Sequence, residues 1–326
     1  MALSVHYIHR PDPPYLADLQ ARLDSTVRLT FGPEVDPEAE VLVVGRPTRA
    51  QLAAAPDLRA VIFPFAGLPD TTPALLREFP HLGIHNLHHN AIPTAEMALT
   101  LLLAAAKCIV PVDRIFREHD WRPRYVRPNP SLLLAGKTAL ILGYGAIGQH
   151  VAQVCRALGM RVLATKRHAG PPQEYPDALF PPEQLPDLLP QAHALIVCLP
   201  LTDETKDLIS AAEIALLPEQ AIVVNVGRGA IIDEAALYDA LVAGKLHAAG
   251  LDVWYNYPDD EASRAHTPPS AYPFHALDNV VMSPHRGGDG GAAEVEQLRM
   301  AHLAALLNAA ARGEPIPNPV DLDAGY

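Results

Sequence analysis

Residues 137–148 read KTALILGYGAIG, and this stretch decides the fold. The apolar run that ends at Leu142 predicts a buried strand, and a helical pattern starts directly after the glycine-rich turn. In that setting Gly143 allows a tight turn, Gly145 lets the backbone approach a pyrophosphate, and Gly148 lets the helix pack closely on the sheet. The helix N-terminus adds N–H groups and the positive end of a dipole. We therefore predict a dinucleotide-binding turn, with a purely structural strand–helix turn as the alternative.

Short apolar runs alternate with helical patterns on both sides of this turn. Such alternation is typical of α/β proteins with mostly parallel sheets, so we predict that fold class. The predicted strands are 41–44, 60–65, 138–142, 161–164, 194–199 and 221–226. The predicted helices are 149–158, 211–217 and 234–243, with two longer helical stretches at 94–117 and 292–312.

The glycine turn lies well inside the chain, so a separate α/β unit precedes it. The simplest arrangement builds that unit from the N-terminal segment and a returning C-terminal tail. The nucleotide domain is then inserted between the two long helices. We predict a substrate domain of residues 1–97 plus 290–326 and a dinucleotide-binding domain of residues 98–289.

Composition excludes several classes of protein. The chain has 326 residues, of which 49% are hydrophobic and 19% charged, and this balance excludes a mainly disordered protein. Its net charge of −12 argues against a nucleic-acid partner and against docking on an anionic membrane. The three cysteines lie far apart and suit neither a disulfide framework nor a cysteine zinc site, and the longest apolar run, 97–106, is too short to span a bilayer. We expect a cytoplasmic protein.

The residues after the second strand of the nucleotide domain bear on the choice of dinucleotide. In NAD sites an acidic residue at this point binds the 2′-hydroxyl of the adenosine ribose. Here the expected position is Lys166, followed by Arg167, and no carboxylate stands there. Two cations would form charge-assisted hydrogen bonds with a 2′-phosphate. The sequence therefore predicts NADP as the preferred cofactor, with NAD as the second choice and a solvated basic loop as the alternative.

Three further segments place reactive side chains after predicted strands. Arg228 lies in NVGRG at 225–229, Asp252 ends a short apolar run, and His285 lies in SPHRGG at 283–288. Because open α/β sheets bind ligands at the carboxyl ends of their strands, we expect these side chains to gather at one edge of the sheet.

These segments, in this order, resemble the D-isomer-specific 2-hydroxyacid dehydrogenases. The resemblance runs from residue 136 to residue 288, with further matches near residue 89 and at the terminal NPV of 318–320. It is carried by GKTALILGYGAIG, LPLTDETKDLI, VVNVGRGAIIDEAALYDAL, GLDV and SPHRGG. It implies a Rossmann-type doubly wound parallel sheet inserted into a second, flavodoxin-like α/β substrate domain, with the active site in the cleft. It also implies a homodimer.

The resemblance implies a role for each matching residue. Arg228 would grip the carboxylate and 2-oxo group of the substrate, His285 would be the general acid/base, and Asp252 would hold the nicotinamide carboxamide. A guanidinium suits carboxylate because its planar fork binds two oxygens, and imidazole titrates near neutral pH. Implied cofactor contacts are Ala146, Ile147, Leu199, Pro200, Val226 and Gly227, and the implied carboxylate-binding loop is Ala66, Gly67 and Leu68.

Tyr257 departs from the family pattern. It stands where the family has a glutamate that hydrogen-bonds the catalytic histidine. A carboxylate would raise the histidine pKa, whereas a tyrosine is neutral at working pH and can only orient the ring through its hydroxyl. We therefore predict that Tyr257 belongs to the catalytic group and that His285 has a lower pKa than in a glutamate-paired relative. Asn256 or a nearby group is the alternative partner.

Three other features have more than one interpretation. Pro69 in the carboxylate-binding loop lacks an N–H, so the donors of that loop can differ from those of the family. Residues 258–274 form a longer link than usual, which is a lid, a dimer arm or a rigid surface loop. The cluster HLGIHNLHHN at 81–90 holds four histidines, but without a carboxylate or cysteine we predict no metal site.

The leading functional hypothesis is an NAD(P)-dependent oxidoreductase that reduces a small 2-oxo acid, such as glyoxylate or hydroxypyruvate, to the D-2-hydroxy acid. One alternative keeps the cofactor and changes the substrate to formate, phosphite or another small anion. Formate dehydrogenases carry a neutral glutamine where Tyr257 stands, so this departure is compatible with hydride transfer. Another alternative is a nucleotide-sensing binding module of the same fold without turnover.

Overall fold

The structure is a computed structural model that describes residues 2–69, 72–126, 130–167, 174–288 and 291–322. The chain divides into two compact units. The first contains residues 1–90 and 289–326, and the second contains residues 91–288. In the described part of the chain no single helix could cross a membrane, and one pair of consecutive helices, bent by 66°, meets the length and composition criteria only jointly.

The first unit is built on a parallel sheet of five strands in the order β2-β1-β3-β4-β5. This order is the flavodoxin-like one. Alternate strand residues point to opposite faces, so Val41 and Val43 join one apolar core while Leu42 and Val44 join another. The elements are β1 (Leu3–Tyr7), α1 (Pro13–Arg22), β2 (Val27–Phe31), β3 (Val41–Val43), α2 (Arg49–Leu52), β4 (Ala60–Phe63), α3 (Thr72–Leu76), β5 (Gly83–Asn86) and α11 (Ala293–Ala311).

The second unit is built on a parallel sheet of seven strands in the order β12-β11-β10-β9-β6-β7-β8. Its chain order reverses beside β6, which is the pattern of the doubly wound dinucleotide-binding fold. Its strands are β6 (Thr138–Leu142), β7 (Arg161–Thr165), β8 (Ala178–Phe180), β9 (Ala194–Val197), β10 (Ala221–Asn225), β11 (Leu246–Leu251) and β12 (Val280–Met282). Its helices are α4 (Ala91–Lys107), α5 (Ile109–Arg117), α6 (Arg122–Tyr125), α7 (Ala146–Ala157), α8 (Leu185–Leu188), α9 (Ala211–Leu216) and α10 (Glu234–Val242).

The central strands of the second sheet are apolar over their whole length because helices cover both faces. β6 reads TALIL and β10 reads AIVVN, and every residue of both strands is buried. Leu140 and Leu142 contribute to one core, whereas Ala139 and Ile141 contribute to the core on the other face. The predicted α/β class, with a doubly wound sheet and a flavodoxin-like partner unit, is confirmed.

The helical stretch predicted as one element at 94–117 is two helices in the structure. α4 ends at Lys107 and α5 begins at Ile109, and the two helix axes are bent by 66°. Cys108 between them has a φ of +51°, in the left-handed region, which ends an α-helix. The periodicity of apolar residues continues across this break, so the prediction of one continuous helix was wrong.

The first predicted domain boundary, at 97/98, falls inside α4. The structure places the whole of α4 in the second unit, where it packs against α7, β10 and β11. Close packing is possible because β11 contains Gly250, where a Cβ atom would lie 2.7 Å from the Cβ of Leu101. The second predicted boundary, at 289/290, lies one residue from the break at 288/289.

Candidate active site

The glycine-rich turn after β6 has the shape that a dinucleotide requires. Gly143 has a φ of +94°, and a Cβ atom there would lie 3.0 Å from the carbonyl oxygen of Cys198. A Cβ atom on Gly148 would lie only 2.1 Å from the carbonyl oxygen of Gly143, so α7 could not pack here with any larger residue. Both positions therefore need glycine for the reasons the sequence indicated.

The N-terminus of α7 opens onto free space. Gly145 is the N-cap residue, it brings no side chain to cap the helix, and a Cβ atom built there meets nothing within 4 Å. The first N–H groups of the helix, at Ala146 and Ile147, therefore lie beside a space that a pyrophosphate can enter. The residues present fit a bound dinucleotide.

The strand ends next to this turn converge on it. Gly143, Leu199 and Gly227 follow β6, β9 and β10, and a Cβ atom on Gly227 would lie 2.5 Å from the carbonyl oxygen of Leu199. Val226 is buried, and its N–H donates to the carbonyl oxygen of Val197 at 3.1 Å. The carbonyl oxygen of Pro200 accepts a hydrogen bond from Thr205 Oγ1 at 2.7 Å. These predicted cofactor positions share the edge of the sheet where ligands bind.

The end of β7 holds a carboxylate that was not expected there. Lys166 and Arg167 follow the strand as predicted, but Arg167 Nη2 donates to Glu204 Oε2 at 2.7 Å. Glu204 comes from the segment after β9, 38 residues beyond Lys166, the position at which NAD sites have an acid. The expectation that no carboxylate lies beside these cations was wrong, because position 166 is not the only one that reaches this corner.

Arg228 lies directly after β10 and is held by the buried side chain of Asn225. Asn225 Nδ2 donates to the carbonyl oxygen of Arg228 at 2.9 Å, and Asn225 Oδ1 accepts from the N–H of Gly227 at 3.0 Å. A Cβ atom on Gly229 would lie 2.3 Å from the carbonyl oxygen of Trp254, so the chain packs tightly on both sides of the arginine. This support fixes the backbone from which the guanidinium extends.

His285 and Tyr257 form a hydrogen-bonded pair. Tyr257 Oη lies 2.9 Å from His285 Nδ1, and the backbone N–H of Trp254 donates to the same Tyr257 oxygen at 3.1 Å. The hydroxyl hydrogen is then available to Nδ1, so in the neutral ring Nε2 carries the proton. The described partner of the His285 ring is Tyr257, and not the alternative, Asn256.

Both members of this pair have shifted pKa values. The pKa of His285 is lowered, first by desolvation and then by the positive charge of Arg228, while Asp252 acts in the opposite direction. The pKa of Tyr257 is raised, chiefly by desolvation, although its side chain is 46% exposed. The tyrosine is therefore uncharged at neutral pH and gives the imidazolium no ionic support.

Asp252 holds the segment that carries His285. Its side chain is 1% exposed, and Oδ1 accepts from Ser283 Oγ at 2.5 Å and from the N–H of Arg286 at 2.9 Å. Oδ2 accepts from the N–H of Gly287 at 2.8 Å. These bonds lie on either side of His285, whose φ of +55° is uncommon for a residue with a side chain. The predicted contact of Asp252 with the nicotinamide carboxamide stays a prediction.

Sequence reasoning missed the second support of this segment, Trp254. Its indole Nε1 donates to the carbonyl oxygen of Ser283 at 2.8 Å, and the ring is 6% exposed. Together with its backbone contact to Tyr257, Trp254 connects both members of the pair. Its position directly after Leu-Asp-Val was visible in the sequence, but the partner 29 residues away was not.

The last residues of the link at 258–274 contact other residues of the second unit. Ser270 Oγ donates to Glu234 Oε1 at 2.5 Å, Tyr272 packs against Tyr238 with ring centroids 5.2 Å apart, and Phe274 is 1% exposed. Together with Tyr255 and Tyr257 this part of the link lines a cavity of about 850 Å³. The roles of lid and dimer arm stay predictions.

The predicted carboxylate-binding loop belongs to the first unit. Ala66 and Gly67 lie in a bend after β4, Leu68 follows them in irregular backbone, and the carbonyl oxygen of Ala66 accepts from Asn86 Nδ2 at 2.6 Å. Pro69 is described, whereas Asp70 lies outside the described residues. The role of this loop in binding a substrate stays a prediction.

The histidines near residue 85 have ordinary partners. His85 Nδ1 lies 3.0 Å from the carbonyl oxygen of Pro317, and His89 Nε2 accepts from Arg299 at 3.2 Å. The backbone N–H of His88 donates to His302 Nδ1 at 3.1 Å. Over the described ranges, no group of three or more His, Cys, Asp or Glu side chains is arranged to hold a metal ion.

Comparison with known proteins identifies this assembly of motifs. Residues 99–287 match the family model described as D-isomer specific 2-hydroxyacid dehydrogenase, NAD binding domain. A glyoxylate reductase of Aeropyrum pernix is 39% identical, with 70% of this chain and 66% of that protein covered. A hydroxypyruvate reductase of Thermotoga maritima is 32% identical, with 80% of this chain and 82% of that protein covered.

The solved structures extend this likeness to the whole chain. A D-isomer specific 2-hydroxyacid dehydrogenase from Xanthobacter autotrophicus, in complex with NADPH and MES, is 28% identical with a TM-score of 0.80 and 100% of both chains covered. The matches to the first curated relatives span between about half and two thirds of the length of those proteins. The described fold and the match over more than half of the residues agree, and the chain belongs to the D-isomer specific 2-hydroxyacid dehydrogenase family.

Proposed function

We propose that this protein is an NADP-preferring oxidoreductase that reduces a small 2-oxo acid of the glyoxylate or hydroxypyruvate type to the D-2-hydroxy acid. The observation that carries the proposal is the group at the ends of β10, β11 and β12. Arg228, Asp252 and His285 follow these three neighbouring parallel strands, and the imidazole ring is hydrogen-bonded to Tyr257. The names of the glyoxylate and hydroxypyruvate reductases among the relatives support this substrate class.

Arg228 binds and polarises the substrate in this proposal. Its guanidinium offers a rigid fork of N–H donors to the substrate carboxylate and 2-oxo oxygen. In the structure Arg228 Nη1 donates to the carbonyl oxygen of Gly227 at 2.8 Å, a bond that uses one of the five N–H donors of the guanidinium and leaves others for the substrate. A bound NADPH supplies the hydride.

His285 delivers the proton that ketone reduction requires. Nδ1 faces Tyr257, which leaves Nε2 as the atom available to the substrate oxygen. Only the imidazolium form can give up a proton and leave a neutral ring, so reduction depends on protonated His285. Asp252 and Trp254 fix the segment on which the ring is mounted.

The preference for NADP rests on Lys166 and Arg167 at the end of β7. Their cations attract a 2′-phosphate, and the family relative that binds NADPH supports the same choice. The turn after β6 supplies backbone N–H groups for the pyrophosphate.

The first test is oxidation of NADPH and NADH at neutral pH with glyoxylate, hydroxypyruvate, pyruvate and phenylpyruvate, with chiral analysis of the product. We expect turnover, a higher kcat/KM with NADPH than with NADH, and the D product. Arg228→Ala should lower kcat/KM about a hundred- to a thousandfold because it removes the charged partner of the substrate. Absence of turnover with every 2-oxo acid despite tight NADPH binding would contradict the proposal.

A second candidate is oxidation of a small anion such as formate, and the neutral partner of His285 is the observation that favours it. Formate oxidation releases a hydride without a proton at oxygen, so a low histidine pKa is no disadvantage there. Reduction of NADP by formate or phosphite, with no activity on 2-oxo acids, would select this candidate.

A homodimer in the cytoplasm completes the proposal. We define the apolar α5 surface as four residues of α5 together with one residue that follows the helix, and each is between 39% and 59% exposed: Ile109, Val112, Ile115, Phe116 and, after the helix, Trp121. An apolar surface of this kind is typical of a protein–protein contact. A second copy of the chain is the occupant we propose.

A further inference from the structure

Glu204 places a negative charge where the adenosine ribose of a dinucleotide is expected. Its Oε2 accepts from Arg167 Nη2 at 2.7 Å, and Arg167 directly follows Lys166 at the end of β7. The segment that carries Glu204 begins with Leu199 and Pro200, which are themselves predicted cofactor positions. The corner therefore contains a cation suited to a 2′-phosphate and a carboxylate suited to a 2′-hydroxyl.

The turn that carries Glu204 is held by its own hydrogen bonds. The N–H of Thr202 donates to Thr205 Oγ1 at 2.8 Å, and that hydroxyl donates to the carbonyl oxygen of Pro200 at 2.7 Å. The N–H of Asp207 donates to the carbonyl oxygen of Ala230 at 2.8 Å. The backbone is thus fixed, whereas the Glu204 side chain is 76% exposed and can turn. Its carboxylate can face Arg167 or the ribose without a rearrangement of the chain.

We propose that Glu204 sets the selectivity between NADPH and NADH. This inference rests on the proposed use of a nicotinamide dinucleotide. A 2′-phosphate must take Arg167 from the Glu204 carboxylate and lie near that negative charge, so Glu204 weakens NADPH binding. With NADH the same carboxylate accepts a hydrogen bond from the ribose 2′-hydroxyl, the role served in NAD sites by the acid that this chain lacks at Lys166.

The size of the effect follows from the exposure of the pair. An exposed ion pair contributes little, so the phosphate displaces Glu204 and NADPH stays the preferred cofactor. The Glu204 carboxylate makes the affinities for NADPH and NADH more similar, but NADPH still binds more tightly. The protein therefore accepts both dinucleotides, with a selectivity that one exposed side chain controls.

The test measures dissociation constants for NADPH and NADH by calorimetric titration of the whole protein at low salt, independently of turnover. Glu204→Gln keeps the size of the side chain and removes its charge. We expect it to tighten NADPH binding about three- to fivefold and to weaken NADH binding by a similar factor, as suits an exposed pair. Asp203→Asn is the matched control: it removes the same charge from the adjacent exposed residue, and we expect both dissociation constants to change by less than twofold.

A double-mutant cycle with Arg167→Ala tests whether Glu204 and the 2′-phosphate compete for Arg167. If Glu204 acts on NADPH through Arg167, most of the gain from Glu204→Gln is lost in the Arg167→Ala background. If Glu204→Gln tightens NADPH binding just as much in the Arg167→Ala background, Glu204 and the 2′-phosphate do not compete for Arg167. If Glu204→Gln and Asp203→Asn have equal effects, Glu204 has no specific role. Failure of the wild-type protein to bind either dinucleotide would instead contradict the proposed function itself, so the two failures are distinguishable.

Discussion

Tyr257, which forms a hydrogen-bonded pair with His285, stands where the resemblance to the family predicts a glutamate. A glutamate in place of Tyr257 would place a negative charge beside the imidazole and favour its protonated form. Tyr257 provides a hydrogen bond without that charge, and desolvation and Arg228 both lower the His285 pKa. The histidine is held in place but is deprotonated more easily.

The pH dependence of reduction follows directly from this pair. Reduction requires imidazolium, so kcat/KM should fall as pH rises through the lowered His285 pKa. Tyr257→Glu adds the missing charge, raises that pKa and should move the falling limb about one pH unit or more to higher pH. The measurement is the pH profile of kcat/KM for NADPH-dependent reduction.

Tyr255→Phe is the matched control for this change. Tyr255 also lies in the segment after β11, but its hydroxyl donates to the carbonyl oxygen of Ile232, and no described contact joins it to His285. Removal of the Tyr255 hydroxyl should leave the falling limb of the pH profile at the same pH. An unmoved limb in Tyr257→Glu, or an equal movement in Tyr255→Phe, would show that Tyr257 does not set the histidine pKa.

Candidate site residues could be predicted where a short motif carries them, and not where the contact is long in sequence. Arg228, His285 and Tyr257 follow from local motifs and from the resemblance to the family. Glu204 did not, because its contact with Arg167 joins two loops 37 residues apart. The spacing of the glycines in the dinucleotide turn does not indicate which later loop lies beside Arg167 at the end of β7.

At the level of elements, the contact between β6 and α7 is the tightest part of the nucleotide turn. Gly148→Ala would bring a Cβ atom to 2.1 Å from the carbonyl oxygen of Gly143, so the helix would have to move away from the strand. We expect a loss of about 1–3 kcal/mol in the free energy of unfolding, typical of an overpacked core. Displacement of the first turn should also weaken NADPH binding about tenfold or more.

Gln149→Ala provides the comparison for this prediction. Gln149 follows Gly148 in the same helix but is exposed, and alanine is a good helix former. Thermal unfolding and calorimetric titration should show little change in this variant. Unchanged stability and NADPH affinity in Gly148→Ala would contradict the steric role of the glycine.

Elements with continuous apolar runs were predicted well, and those that depend on local backbone geometry were not. β6 was predicted with its observed ends, and β10 with an end one residue too late, because both runs are bounded by turn residues. The break between α4 and α5 was missed because it depends on the left-handed backbone of Cys108, a residue with no strong preference for that conformation. β1 and β2 were missed because short runs that include polar residues give weak signals.

At the scale of the whole molecule, the insertion of one α/β unit into another could be predicted from the position of a single motif. A dinucleotide turn that begins at Gly143 indicates a separate α/β unit in the residues before it. The helix α11 near the end of the chain needs a sheet to pack against, and that unit provides one. The structure gives α11 to the first unit, where it packs against α1 and β2. The residue at which the first unit ends was predicted less well. The sequence of α4 indicates an apolar helix, but it does not indicate which of the two sheets that helix covers.

The apolar α5 surface predicts the assembly state. Phe116 and Trp121 stack edge to face with centroids 4.9 Å apart, and both remain about half exposed. If a second copy covers them, Ile115→Asp should convert a dimer to a monomer with a circular dichroism spectrum like that of the wild type. Light scattering after size-exclusion chromatography measures this, and Leu216→Asp, at an exposed apolar residue on α9, is the control. A wild-type monomer would contradict the prediction.

In the proposed reduction, the hydrogen bond between Tyr257 and His285 has a consequence for when the protein takes up the proton that it transfers. With a neutral partner and a lowered pKa, the free protein holds little of that proton at neutral pH. The negative charge of an arriving 2-oxo acid favours imidazolium, so substrate binding and proton uptake become a single coupled equilibrium. The apparent affinity for the oxo acid therefore weakens as pH rises, and the heat of binding includes the ionisation enthalpy of the buffer. In the proposed reduction, the proton of each cycle is therefore taken from the solution as the substrate binds, and is not already held by His285 in the free protein.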